Sequence, residues 1–95
     1  MSLLQGWSDM FYVALRKSKF GIESVTKDEL PFNICENMNF LESEKIEFLH
    51  DYCEVYDIHY YVAFSKNRYL MNQLMSALSA RYDIKKKGEK NVKKN

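Results

Sequence analysis

Residues 58–66 read IHYYVAFSK. Ile58, Tyr60, Tyr61, Val62 and Phe64 are β-branched or aromatic, Asp57 precedes the run, and Ser65-Lys66-Asn67 closes it, which predicts a strand. Its apolar character is continuous rather than alternating, so both faces should be buried, as in a central strand covered by helices. Residues 11–18, FYVALRKS, carry nearly the same run. Tyr12, Val13, Ala14 and Lys17 match Tyr61, Val62, Ala63 and Lys66, while Phe11 and Leu15 match Tyr60 and Phe64. FYVALRK is therefore read as a second core strand, although Leu4, Trp7, Phe11 and Leu15 also fall at helical spacing. The flanks of the two copies differ. Two neighbouring core strands selecting the same residues account for that better than a duplicated unit.

Working outward, the spacing between Asn39 and Tyr56 predicts an amphipathic helix. Ile46, Leu49, Cys53 and Tyr56 would share its apolar face, and Glu47, His50, Asp51 and Glu54 its polar one. Asn39 with Glu42, or Ser43, would cap it. A second helix is predicted from Asn67 to Tyr82, with Leu70, Leu74, Ala77 and Leu78 inward and Met71 and Met75 beside them. Phe20 to Val25 reads as a short strand, and Leu30-Pro31 as extended chain or turn, because proline disfavours helix in the residue before it. The expectation is a small α/β or α+β domain over residues 1–84, with a central sheet flanked by two helices of the C-terminal half. A disordered Lys-rich tail over 85–95 would follow.

A chain of 95 residues should form one domain and bury ~60–65% of the surface its unfolded form exposes. The longest uninterrupted apolar run, MFYVAL at 10–15, is far below the roughly 18 residues that span a bilayer. No membrane partner is expected. Cys35 and Cys53 are too few for a disulfide framework and read as reduced thiols, which points to the cytoplasm.

The net charge of +1 hides an asymmetry. KKKGEKNVKKN at 85–95 holds six lysines against one glutamate, whereas residues 22–57 hold ten carboxylates against Lys27 and Lys45. Tails of this kind solubilise a chain or bind anionic surfaces.

Few constellations carry chemistry. The glycines at 6, 21 and 88 are isolated, so no phosphate loop exists. Cys35, His50, Cys53 and His59 lack the paired spacing of a zinc knuckle, and no metal or cofactor is expected. His59 reads as a half-buried strand residue and His50 as a solvated one. Glu47, Asp51 and Glu54 read as a solvated helix face or as a surface for a protein partner.

SDMFYVALRKSK at 8–19, ELPFNI at 29–34 and IHYYVAFSKNRYL at 58–70, with a helix between the last two, resemble the second half of the restriction-endonuclease-like nucleases, particularly the Holliday-junction resolvases. The resemblance implies a strand bearing an acid and then an acid-x-lysine pair, followed by a loop, a helix and another core strand. Such enzymes use the carboxylates to hold a divalent metal and the lysine to orient the attacking water. Here Ala14 stands at the acid position and Arg16 at the lysine position, leaving Asp9 as the remaining acid. The resemblance therefore implies a degenerate, catalytically silent domain.

Three functions follow as expectations. The first is a small non-catalytic accessory protein that binds nucleic acid through Arg16, Lys17, Lys19, Lys66 and Arg68 with tail residues Lys85, Lys86 and Lys87; the strand-end cations would cluster if the two similar strands ran parallel. The second is a protein-binding inhibitor or mobile-element accessory factor, using Glu47, Asp51 and Glu54 and the seven tyrosines, with self-association favoured by the short length. The third is a metal-dependent nuclease.

Overall fold

The computed structural model describes residues 4–7, 10–40 and 43–85. Its centre is formed by the two similar runs, as strands β2 (Met10–Ser18) and β5 (Ile58–Ser65). They are neighbours, and they are antiparallel: Val13 lies opposite Ala63, and Ala14 opposite Val62. Each valine thus meets an alanine, which lets two like sequences pack without crowding. Val13 and Ala63 belong to one core, Ala14 and Val62 to the other. Corresponding residues of the two runs therefore face opposite sides of the sheet, an arrangement that no two-fold rotation relates.

Around this pair the strand order is β4-β5-β2-β3-β6, with β4 (Glu47–Cys53), β3 (Gly21–Ser24) and β6 (Ile84–Lys85). A short β1 (Gln5–Trp7) pairs with the start of β2. Among the described residues, β3 and β6 run parallel and the other pairs are antiparallel. With helices α1 (Phe32–Phe40) and α2 (Arg68–Arg81), the fold is α+β.

The two helices cover opposite faces. Ile34 and Met38 of α1 join Tyr12, Ala14, Val25, Val62 and Phe64 in one core. Met71 of α2, fully buried, joins Val13, Leu15 and Ala63 in the other, with Leu74, Met75 and Leu78 packed alongside. Ala77, expected in that apolar stripe, is exposed. Asn67 caps α2, its side chain accepting a hydrogen bond from the Leu70 N–H at 3.2 Å. Leu30 is extended ahead of Pro31, as proline requires, and α1 begins directly after it.

The helix expected over 39–56 is not formed. Its second half is β4, and the helix of this region, α1, ends where the expected one began. One helix therefore lies before the chain's midpoint rather than both after it. Leu49 and Cys53 explain the error: a separation of four residues is one helical turn and also two strand repeats. In β4, Glu47, Leu49, Asp51 and Cys53 are half-buried, while Phe48, His50 and Tyr52 are exposed. Pairing with β5 through a four-residue turn, closed by the Asp57 N–H donating to the Glu54 carbonyl at 3.4 Å, decides for the strand. Lys85, expected in the disordered tail, lies in β6; the rest of the tail lies outside the described residues.

Candidate nucleic-acid interface

A helix with its side chains is about 10 Å wide, and strands repeat about every 4.8 Å, so one helix shields about two strands. α2 lies over β2 and the adjoining part of β5. The same face of β4 and the first half of β5 stays open. Three successive rungs can be followed across it: Phe48, Ala63 and Val13; His50, Tyr61 and Leu15; Tyr52, His59 and Lys17. Phe48 is 68% exposed, Tyr52 44% and Tyr61 40%.

The rings on this face stand parallel to one another. Tyr52 and His59 stack at 4.4 Å between centroids, and His50 and Tyr61 at 4.8 Å. His50 and His59 lie 5.2 Å apart, with Nε2 of the first 3.0 Å from Nδ1 of the second, so one imidazole donates and the other accepts. The Tyr52 hydroxyl donates to Asp57 at 2.9 Å, and that carboxylate pushes the hydroxyl pKa up. Sequence spacing placed His50 on the polar face of a helix, turned away from Cys53; in the strand it stacks with His59 and Tyr61.

The cations do not form the single cluster expected of parallel strands. Because β2 and β5 are antiparallel, Arg16 and Lys17 lie at one end of the pair, and Lys66 and Arg68 beyond the other. Arg68 lies over the Phe11 ring at 5.6 Å. The strand period separates Arg16 from Lys17 again, onto opposite faces. Arg16, on the α1 face, forms an ion pair with Glu23 at 2.9 Å. Partial burial opposes its charge, but hydrogen bonds to Glu23 and Tyr60 outweigh this and raise its pKa.

Lys17, on the open face, has different neighbours. Lys19 follows it in the β2–β3 turn, over the Phe20 ring at 5.4 Å. Lys85 reaches the Phe20 carbonyl at 3.3 Å. Leu78 and Tyr82 at the end of α2 approach Lys17 across a shared hollow, which brings exposed Arg81 to this same end of the sheet. Arg81 was not singled out from the sequence. Its signal was helix register: it lies one turn beyond Ala77 and Leu78. Lys86 and Lys87 lie outside the described residues, as does Asp9.

The carboxylates divide by face as well. Glu23, Glu47 and Asp51 share the α1 side with Phe64, Tyr60 and Arg16. Glu54 sits in the exposed β4–β5 turn. α2 contains no acid along its length. The open face thus combines rings and Lys17 with one acid at its edge, Asp57 on the Tyr52 hydroxyl, while Glu23, Glu47 and Asp51 lie on the α1 side.

Ala14 has no exposed surface, and no three His, Cys, Asp or Glu residues come together as a metal-binding set among the described residues. The Cys35 thiol donates to the Lys27 carbonyl at 3.4 Å, and both cysteines are free. No helix among the described residues is long and apolar enough to cross a membrane. No protein-family model matches the chain, and neither a curated protein nor a solved structure matches it.

Proposed function

We propose that the protein is a small, intracellular, non-catalytic accessory factor that binds single-stranded nucleic acid along the open, α2-side face of its sheet. The observation that carries this reading is the separation of charge by the sheet: Glu23, Glu47 and Asp51 lie on one side, and the exposed rings with Lys17 on the other. These three strand acids, which would otherwise repel phosphate, face away, and Asp57 at the edge of the open face is bonded to the Tyr52 hydroxyl. Single strands are bound without strong sequence preference by rings that stack on bases beside cations that follow the backbone. Lys17, Lys19, Arg81 and Lys85 supply the cations at the ring-bearing end.

The test is a titration against short fluorescent DNA and RNA at about 50 and 200 mM salt, a range over which phosphate contacts weaken steeply. Full-length protein should lose affinity with salt, and each phosphate contact removed should flatten the logarithmic slope by about 0.7. Reversing Lys17, Lys19 and Arg81 together should therefore reduce the slope by about 2. Removing 86–95 should weaken binding without abolishing it. If truncation removes all binding and the body reversals change nothing, the tail is a generic polycation and the proposal falls. Loss of a protein partner on reversing Glu47, Asp51 and Glu54, with no nucleic-acid binding at all, would establish the protein-partner reading instead.

A further inference from the structure

Between α2 and the open half of the sheet lies a hollow of about 470 Å³. Its floor is Val13, Leu15 and Ala63, its wall Leu74 and Leu78. Phe48, Tyr61 and Tyr82 stand around it, and Lys17 and His50 line it as well. Among the described residues, Lys17 is the lysine, arginine or carboxylate side chain that lines it. No carboxylate lines the hollow, and Lys17 pairs with no carboxylate among the described residues.

We propose that this hollow is a binding site for an apolar monocarboxylic acid, whose hydrocarbon body fills the space under α2 while its carboxylate meets Lys17 at the rim. The size is right for a small ligand, since such sites are about 300–1,000 Å³, mostly apolar, with a few polar groups that fix orientation. The charge is also specific. One lysine matches one negative charge, and the lysine's ammonium donates to a carboxylate oxygen. This site goes beyond the nucleic-acid reading and does not depend on it.

The experiment uses the full chain and the probes hexanoate, octanoate and decanoate, followed by amide chemical shifts in NMR. Affinity should rise by about fourfold per added methylene until the hollow is full. The shifts should centre on Leu15, Lys17, Ala63 and Leu78. Decanol and decyltrimethylammonium should bind at least tenfold more weakly than decanoate. Lys17→Met should erase the preference for decanoate over decanol while leaving decanol binding unchanged; Leu78→Trp, which fills the hollow, should weaken both. Lys17→Met and the headgroup series keep the test decisive if the tryptophan variant fails to fold. Equal binding of all three headgroups would overturn the proposal, as would shifts confined to exposed Phe32 and Val55 or no binding of decanoate at all. No nucleic acid is present, so a failure to bind oligonucleotides elsewhere has no bearing on the result.

Discussion

Ala14 is completely buried, against Val62, Phe64 and Val25, and its carbonyl accepts a hydrogen bond from the Val25 N–H at 3.0 Å. An acid there, as the nuclease pattern asks, would place a carboxylate in hydrocarbon with no partner. Ala14→Asp should lower the unfolding free energy by about 3–5 kcal/mol in urea titrations and should yield no magnesium-dependent cleavage of DNA. Tyr12, two residues before it, is buried as well but satisfied. Its hydroxyl donates to the Gln5 side chain at 2.9 Å and accepts from the Lys27 N–H at 3.1 Å. Burial pushes its pKa above the ordinary 10.0, an effect only partly offset by the Lys27 bond. As pH rises past that ordinary value, the unfolded chain releases this proton before the native chain does, so stability falls with rising pH. Tyr12→Phe should cost about 1–2 kcal/mol at neutral pH and should show a shallower loss above about pH 10 than the parent, measured by denaturant unfolding at each pH. At this scale the sequence was partly legible. The half-buried state of His59 could be read from its run; the separation of Arg16 from Lys17 needed the two-residue period of a strand applied to the basic end of β2 as firmly as to its apolar centre.

Among the elements, β5 could be read from its β-branched and aromatic run, β2 from its likeness to β5 despite a competing helical spacing, and α2 from its helical period. β4 could not. EFLHDYC exposes Phe48 and Tyr52 and half-buries Glu47 and Asp51, the reverse of what hydrophobicity predicts for an edge strand, and only the neighbouring strand resolves it. α1 was equally hidden, since among the residues of FNICENMNF whose burial is described, Ile34 and Met38 are the ones fully inward, at a four-residue spacing. The joints between elements make sharper predictions. Asn67 caps α2, so Asn67→Ala should cost about 1 kcal/mol and lower Tm by about 5 °C in a calorimetric scan. Asp57 holds φ at +54° in the β4–β5 turn, a conformation aspartate tolerates and branched residues do not. Asp57→Val should therefore destabilise by about 1–2 kcal/mol, and Asp57→Gly by less, with the difference read from paired denaturation curves.

For the whole molecule, the acidic middle and the cations read from the sequence become a statement about two sides of one sheet. The signs were legible; their sides were not, because side assignment depends on strand register, which local composition does not carry. Exposed charges are screened beyond about 8 Å at physiological ionic strength, so acids on the α1 side should have little influence on a ligand held on the other. Reversing Glu47 and Asp51 to lysine should thus raise oligonucleotide affinity by less than about threefold in 150 mM salt, measured by fluorescence anisotropy. A gain of tenfold or more would place the nucleic acid on the acidic side.

The crossed pairing of Val13 with Ala63 and of Ala14 with Val62 carries a consequence for how this sequence can drift. What each rung conserves is the summed volume of its two side chains rather than either identity. Val13→Ala alone should open a void beneath Met71, and Ala63→Val alone should force Met71 outward, whereas the double exchange restores the sum; the double-mutant cycle should show a coupling of about 1 kcal/mol or more. Descendants of this chain should therefore change positions 13 and 63 in concert, and the resemblance between its two strands should fade over evolutionary time while the sheet they build stays the same.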